Sequence, residues 1–178
     1  MRNRPCIPAQ MRSNRIAARR ICGKMVGMLK REIETQFGTL SLTEEHGEIA
    51  RLSWGPCGRH DASPVLDAAA AQLASYDAGD LTVFDLPLRV QGGELQRAVC
   101  QTMRDIPFGD TVTYGDIART LGVSAQAVGQ ACGRNPIPII IPCHRVMGAR
   151  GLTGFSGAGG VETKLALLKH EGAGGFLI

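Results

Sequence analysis

Long apolar runs, closely spaced cysteine pairs and acidic residues near the N-terminus are all missing from this chain of 178 residues. No stretch approaches the roughly 18–20 uninterrupted apolar residues that cross a bilayer, and the arginine-rich start has no apolar signal core. We therefore expect a soluble, cytoplasmic protein with no membrane partner. The six cysteines include no C-x-x-C pair, which argues against both a disulfide lattice and a zinc site. Any thiol chemistry must belong to a single reduced cysteine.

Charge is divided unevenly along the chain. Residues 1–27 hold seven basic residues and no acidic one, residues 28–99 carry a net charge of −5, and residues 100–178 carry +2. We interpret 1–27 as a basic, flexible and dispensable tail. A nucleic-acid-binding arm, a transit-like peptide and an over-long translation start remain open as alternatives. Outside this tail, the composition is that of one or two small globular domains.

Residues 28–91 are predicted to form an N-terminal α/β domain. Apolar and polar residues alternate as in an antiparallel meander, in the segments 32–37, 40–42 and 49–54. Ser63 and Pro64 then supply the N-cap and first-turn proline of a helix that runs to about Tyr76. A further strand is predicted over 83–90.

Residues 92–178 have a different, mostly helical pattern. A helix is predicted from Gly93, a second over Asp116–Leu121, and a third over Ala125–Cys132 with Ser124 as its cap. The last two, joined by a turn at Gly122, have the order of a helix-turn-helix, although most such pairs bind no DNA. The predicted fold class is therefore α/β (α+β): an N-terminal antiparallel sheet with a helix, followed by a helix-turn-helix domain of winged-helix type.

A cysteine follows a short apolar segment in this second half. Ile139–Ile141 is predicted to be a buried strand, and Cys143, His144 and Arg145 come after it. Because a thiolate is the reactive form of cysteine, a nucleophilic Cys143 needs a basic or cationic neighbour, which the next two residues supply. Adjacent residues of an extended segment point to opposite faces, so His144 is expected to act through a turn or a water molecule. From this pair alone, an inert buried cysteine beside a structural histidine remains the alternative.

A denser set of motifs goes beyond these generic patterns. In chain order they are Ala127-Val128-Gly129, the run from Asn135 to Val146 around Pro142-Cys143-His144-Arg145, Gly154-Phe155-Ser156-Gly157, and Lys164 followed by Leu167–Gly172. Together they closely resemble the O6-alkylguanine-DNA alkyltransferase family, the methylated-DNA–protein-cysteine methyltransferases. The resemblance covers about residues 92–172. The N-terminal part is similar to the family's variable domain only in element order and in the Phe37-Gly38 turn.

This resemblance implies a chemistry for the cysteine. The family transfers an alkyl group from O6 of guanine in duplex DNA to a cysteine, with O4-alkylthymine as a further possible substrate. By this analogy Cys143 is the acceptor, His144 takes its proton through a water molecule, and Glu171 orients the imidazole. Because a thioether is not readily hydrolysed, one molecule would accept one alkyl group. No cofactor and no metal are expected.

The resemblance also implies roles around the substrate. Tyr114 would donate a hydrogen bond to the base, and Lys164 would support the site and hold Tyr114. The predicted substrate-binding residues are Asn135, Pro138, Phe155, Ser156 and Gly157. Asn135 is expected to fix the turn before the reactive segment through backbone hydrogen bonds, and Pro138 to wall the pocket.

Double-stranded DNA, bound through its minor groove by a monomer, is the partner that the resemblance implies. The predicted DNA-binding residues are Thr113, Gln126, Ala127, Gly129, Arg134 and Arg145. Gln126 stands where the family usually has an arginine that fills the gap left by the flipped base. Two other functions remain as alternatives: a protein that recognises alkylated bases without transfer, and a methyl-sensing regulator. A cysteine hydrolase is disfavoured because no hydrolase motif surrounds Cys143.

Overall fold

The computed structural model describes residues 27–149, 151–152, 154–155 and 157–173. The predicted basic tail, apart from Gly27, and the predicted substrate-binding residue Ser156 lie outside the described residues.

A three-stranded antiparallel sheet forms the start of the described chain. Its strands, in the order β1-β2-β3, are Leu29–Thr35 (β1), Gly38–Glu45 (β2) and Glu48–Trp54 (β3). Leu42 of β2 pairs with Leu52 of β3, and both side chains are buried. The alternation of apolar residues thus places one face of the sheet on the core, and the predicted meander is confirmed.

Helix α1 (Pro64–Asp77) covers that sheet face. Its start matches the prediction, since the Ser63 hydroxyl accepts a hydrogen bond of 3.0 Å from the Leu66 amide and Pro64 occupies the first turn. Leu66, Leu73 and Tyr76 share the buried face. The helix therefore places Tyr76, its last buried residue, deep in the protein.

The strand predicted over 83–90 is wrong. This segment touches the sheet at one bridge only, where the Ile49 amide donates to the Pro87 carbonyl and the Arg89 amide donates to the Ile49 carbonyl. Pro87 has no N–H to give to a ladder, and Val83 is 73% exposed. The segment is apolar because it packs against the protein, with Leu86 buried, and it forms no strand.

The described residues of the second half form four α-helices and a short parallel strand pair. In chain order these are α2 (Glu94–Arg104), β4 (Val112–Thr113), α3 (Tyr114–Leu121), α4 (Ala125–Gly133), β5 (Val146–Met147) and α5 (Val161–His170). Strand β4 pairs with β5 in parallel. Helices α3 and α4 form the predicted helix-turn-helix pair. Gly122, at a φ of 66°, ends the first helix in the left-handed region, and the Ser124 hydroxyl caps the second.

The strand predicted over Ile139–Ile141 is also wrong. The chain turns there: the Ile141 amide donates to the Ile137 carbonyl at 2.8 Å, and Ile139 has a φ of 71°. Prolines 136, 138 and 142 remove three N–H donors, so the segment cannot form a ladder. A β-branched residue at positive φ is strained, by about 1–3 kcal/mol, and persists only where its surroundings hold it. This strained turn comes directly before Cys143.

Both halves share one continuous core. Leu40 and Leu66 of the first half belong to the same buried cluster as Val99, Ile117 and Leu167 of the second. A backbone hydrogen bond of 2.9 Å from the Leu52 amide to the Pro136 carbonyl also joins them. The predicted α/β class is confirmed as a mixed fold, whereas the domain boundaries and the winged-helix character stay predictions. No helix in the described part of the chain is long and apolar enough to cross a membrane.

Candidate active site

Cys143 begins a one-turn 3-10 helix, Cys143–Arg145, between the strained turn and β5. Its side chain is 5% exposed and lines a cavity of about 290 Å³. The other residues that line this cavity are Tyr114, Gly129, Cys132, Gly133, Gly154 and Phe155. The thiol therefore lies at the wall of a small pocket between α3, α4 and the loop before α5.

Burial controls the protonation of this thiol. It raises the pKa of Cys143 to about 11, while a hydrogen bond with Asn135 and the positive charge of Lys164 act in the opposite direction. Near neutral pH, Cys143 is thus a protonated thiol. A reaction that uses the thiolate needs a base to remove the proton.

His144 is the neighbouring base, and its ring is fully buried. Its Nε2 lies 2.7 Å from Glu171 Oε1. An ionised carboxylate can only accept, so Nε2 carries a proton and Nδ1 of the neutral ring is a free acceptor. Among the described residues Nδ1 has no hydrogen-bond partner. Burial lowers the pKa of His144 despite the opposing effect of Glu171, and this favours the neutral form that can take a proton.

The Glu171 carboxylate accepts hydrogen bonds from residues in several parts of the chain. Oε1 accepts from Tyr76 at 2.8 Å and from Arg145 Nη2 at 3.0 Å as well as from His144, and Oε2 accepts from Arg145 Nε at 2.7 Å. Burial alone would raise the pKa of Glu171. The hydrogen bonds and charges of His144 and Arg145 outweigh it and lower the pKa to about 2. Glu171 is therefore a buried carboxylate that stays ionised.

The end of α5 positions this carboxylate. Glu171 is the C-cap residue of the helix, and Gly172, at a φ of 66°, takes the left-handed conformation that stops it. Gly109 packs against the same point, since an added Cβ there would come within 3.0 Å of the Glu171 carbonyl oxygen. Glycine at these two positions lets the chain bring Glu171 to His144.

Lys164 is buried beneath the site on α5. Its Nζ donates to the Val146 carbonyl at 2.6 Å. Burial lowers the pKa of Lys164, whereas the negative charge of Cys143 or Cys132 in the thiolate form acts in the opposite direction. The positive charge of Lys164 lowers the pKa of Cys143, and its support of the reaction stays a prediction.

The predicted substrate-binding residues divide between two adjacent cavities. Phe155, together with Tyr114, lines the cavity at Cys143. Pro138 and Gly157 instead line a neighbouring cavity beside Trp54 of β3. Trp54 packs edge-on against Phe155, with ring centroids 5.8 Å apart, so these residues support the pocket wall from behind.

Asn135 makes the backbone hydrogen bonds that were predicted for it. Its Nδ2 donates to the Ile141 carbonyl at 2.7 Å, and its Oδ1 accepts from the Ile137 amide at 3.1 Å. These two bonds span the turn that contains Ile139 at positive φ. Asn135 therefore stabilises the strained segment that directly precedes Cys143.

The predicted DNA-binding residues on α4 and at its C-cap combine long exposed side chains with small half-buried ones. Gln126 and Arg134 are exposed, and Ala127 and Gly129 are half-buried. Gly129 also lines the cavity at Cys143, so the surface is continuous with the pocket.

Thr113 and Arg145 have structural partners that limit a contact with DNA. Thr113 caps α3 by a reciprocal pair of hydrogen bonds with Asp116. Arg145 is 5% exposed, donates to Glu171 and to the Ile106 carbonyl, and stacks its guanidinium on Phe108. The prediction of a DNA contact for Arg145 is corrected accordingly: its guanidinium is directed inward because Glu171 requires a buried counter-charge.

Two residues at this site were not predicted from the sequence. Tyr76 reaches Glu171 from 95 positions away along the chain, and no local motif marks it. Cys132 lines the cavity, its thiol contacts the Met103 sulfur at 3.6 Å, and burial raises its pKa to about 12. Within the described residues, no group of three or more His, Cys, Asp or Glu side chains could hold a metal ion.

Comparisons with known proteins agree with one another. Residues 94–173 match the family model of the 6-O-methylguanine DNA methyltransferase DNA-binding domain. A methylated-DNA–protein-cysteine methyltransferase of Mycolicibacterium paratuberculosis is 43% identical over 135 residues, which cover 74% of this chain and 78% of that protein. The crystal structure of Mycobacterium tuberculosis O6-methylguanine methyltransferase is 37% identical, with a TM-score of 0.73 over 83% of this chain and 94% of the other. The same organism's OGT in complex with DNA is 40% identical, with a TM-score of 0.72 over 81% and 92%.

Proposed function

This chain belongs to the methylated-DNA–protein-cysteine methyltransferase family of DNA-repair enzymes, and we propose that its Cys143 is the residue that accepts the alkyl group, once per molecule, from O6 of guanine in duplex DNA. The observation that carries this proposal is the position of Cys143: its thiol lines a cavity beside an exposed helix-turn-helix surface and precedes a histidine bonded to an ionised carboxylate. Binding of DNA follows from the family and from the matched DNA-binding domain.

The transfer is an in-line displacement. His144 Nδ1 takes the Cys143 proton through a water molecule, and Glu171 stabilises the imidazolium that forms. The thiolate sulfur then bonds to the alkyl carbon while the bond from that carbon to O6 breaks, and its electron pair stays with the guanine. Guanine regains a proton at a ring nitrogen, and Cys143 becomes a thioether. No oxidant, cofactor or metal enters this balance.

The leaving base is stabilised as the bond to O6 breaks. A hydrogen-bond donor aimed at the developing anion lowers the barrier of such a step. We infer that Tyr114 is this donor, which its position on the cavity wall supports, and that Ser156 is a second donor by the family motif. Phe155 supplies an aromatic face at the same wall, against which a flat base can pack.

The DNA duplex must present its base outside the stack, at a cost of a few kcal/mol. We propose that a monomer lays α4 in the minor groove, where Ala127 and Gly129 allow close approach, and that Gln126 fills the gap left by the base. Glutamine supplies no charge there, so Arg134 carries more of the phosphate contact. Because Cys143 must stay reduced to react, the reducing cytoplasm fits this function.

Mass spectrometry of the intact protein tests the proposal. After incubation with a duplex that contains one O6-methylguanine, we expect the gain of one methylene mass per molecule, located on the peptide with Cys143, with saturation at one. A parallel duplex with O4-methylthymine tests the second substrate. If there is no gain and the O6-methylguanine duplex is bound more tightly than plain DNA, the chain recognises alkylated bases without transfer. If the methylated protein shows a changed affinity for plain DNA, Cys143 also acts as a methyl sensor.

A further inference from the structure

Tyr76 lies in the N-terminal half but contacts the hydrogen-bonded group behind Cys143. It sits at the C-terminal end of α1, is 1% exposed, and its hydroxyl donates to Glu171 Oε1 at 2.8 Å. The same oxygen accepts from His144 Nε2 at 2.7 Å. The hydroxyl and the imidazole therefore share one carboxylate oxygen.

We propose that Tyr76 is a positioning residue for alkyl transfer, which sets the strength with which Glu171 holds the protonated form of His144. This inference rests on the proposed function of Cys143 and extends it to a residue outside the matched DNA-binding domain, which starts at residue 94. The N-terminal half thereby contributes to the chemistry as well as to the core.

Tyr76 affects His144 because both side chains donate to the same negatively charged oxygen of Glu171. Each donor to a carboxylate oxygen withdraws charge from it, so the Tyr76 hydroxyl weakens the attraction of Glu171 for the imidazolium of His144. Loss of the hydroxyl leaves Oε1 with His144 and Arg145 only, and the imidazolium holds its proton more firmly. His144 is then already protonated over a wider range of acidic pH, and in that range it cannot accept the Cys143 proton.

Several neighbouring groups hold Tyr76 in this position. Its ring packs near Phe84, Phe108 and His170, with centroids 5.3, 6.3 and 5.0 Å away, and His170 Nε2 lies 2.6 Å from the Tyr76 carbonyl. A ring enclosed in this way has one orientation, so its hydroxyl has little freedom to leave Glu171.

The charged and titratable groups around this shared oxygen come from three elements. Helix α1 supplies Tyr76 and Asp77, the 3-10 helix supplies His144 and Arg145, and α5 with its C-cap supplies Lys164, His170 and Glu171 itself. Of these, Tyr76 is a donor to Oε1 that stays neutral throughout the proposed reaction, and its hydroxyl can be removed without a change in net charge.

The test is Tyr76→Phe, which keeps the ring and deletes the hydroxyl. We expect the acid limb of the single-turnover pH–rate profile to move to higher pH, with slower transfer than the wild type on that limb, and the Kd for DNA to stay unchanged. In the absence of DNA, the imidazole ¹⁵N shifts of His144 should titrate at a higher pH than in the wild type. An unchanged rate and an unchanged profile would overturn the proposal.

Leu73→Ala is the matched control. Leu73 is buried one turn earlier on α1, and its side chain has no polar atom that could bond to Glu171. This variant loses stability without a shift of the profile. If Tyr76→Phe behaves like Leu73→Ala, with lower stability and the wild-type profile, Tyr76 is structural and the proposal fails. If the wild type itself transfers nothing to Cys143, the proposed function fails, while the ¹⁵N titration still decides the role of Tyr76.

Discussion

The buried side of the active site and the exposed surface of α4 are built in opposite ways. Behind Cys143 lie Glu171, His144, Arg145 and Lys164, all at most 5% exposed. On α4 the side chains are small and uncharged, and Gln126 is exposed. The proposed reacting residues are thus held by charge in the interior, whereas the proposed DNA surface relies on shape and on Arg134 at its edge.

This difference predicts which substitutions should affect alkyl transfer and which should affect DNA binding. A buried charge that loses its partner costs several kcal/mol, so the interior tolerates almost no substitution. An exposed residue at a DNA surface alters affinity gradually and in a salt-dependent way. We therefore expect changes of the interior to act on the rate of transfer or on folding, and changes of α4 to act on binding and base flipping.

The largest effect is expected from Cys143→Ala. It removes the sulfur that forms the new bond, so transfer should be lost completely while the affinity for DNA is kept. The measurement is transfer of a labelled methyl group, with a gel-shift assay for binding. Cys100→Ala is the control, because Cys100 is also buried but does not line the cavity, and it should transfer normally. Residual transfer by Cys143→Ala would disprove the assignment of the acceptor.

Glu171→Gln should be the next most severe change. The amide keeps the shape of the side chain but leaves Arg145 buried without its counter-charge, at a cost of roughly 3–5 kcal/mol in the free energy of unfolding. Loss of the carboxylate that supports His144 should also lower the transfer rate by about a hundredfold. Urea unfolding and single-turnover kinetics measure the two effects. Glu162→Gln, an exposed change on the same helix, should alter neither.

Acid should destabilise the protein through Glu171. The pKa of this group is about 2 in the folded protein, below its ordinary value of 4.5, so the ionised carboxylate stabilises the fold above pH 4.5. This contribution is lost as the pH falls through about 2. The free energy of unfolding, measured from pH 6 to pH 2, should decline more steeply for the wild type than for Glu171→Gln. Parallel curves for the two proteins would contradict the assignment.

The smallest effect is expected from Gln126→Arg on α4. An added charge at the gap left by the base should raise the transfer rate on duplex DNA a few-fold and steepen the salt dependence of binding by about one unit of logarithmic slope. Gln130→Arg adds the same charge one turn further along the helix and serves as the control. Equal gains for both variants would show a general effect of charge, and no gain for Gln126→Arg would mean that another residue already fills the gap.

Much of the local structure could be predicted from the sequence. The meander, the capped start of α1 and the helix-turn-helix pair follow from alternation, from Ser63 with Pro64, and from Gly122 with Ser124. The two strand predictions failed for a common reason. The apolar segments 83–90 and 139–141 were predicted to pair as strands, although Pro87 within the first and Pro138 and Pro142 on either side of the second remove donors that a strand ladder needs.

The sequence by itself determined the reactive motif, because Cys143, His144 and the run of residues around them are contiguous or regularly spaced. Only the tertiary structure decided which groups surround that motif. It brought Tyr76 to Glu171 across 95 positions, turned Arg145 inward, and set Trp54 behind Phe155. Such contacts depend on the packing of one continuous core. A buried carboxylate needs hydrogen-bond donors, and the elements that pack beside it determine which residues supply them.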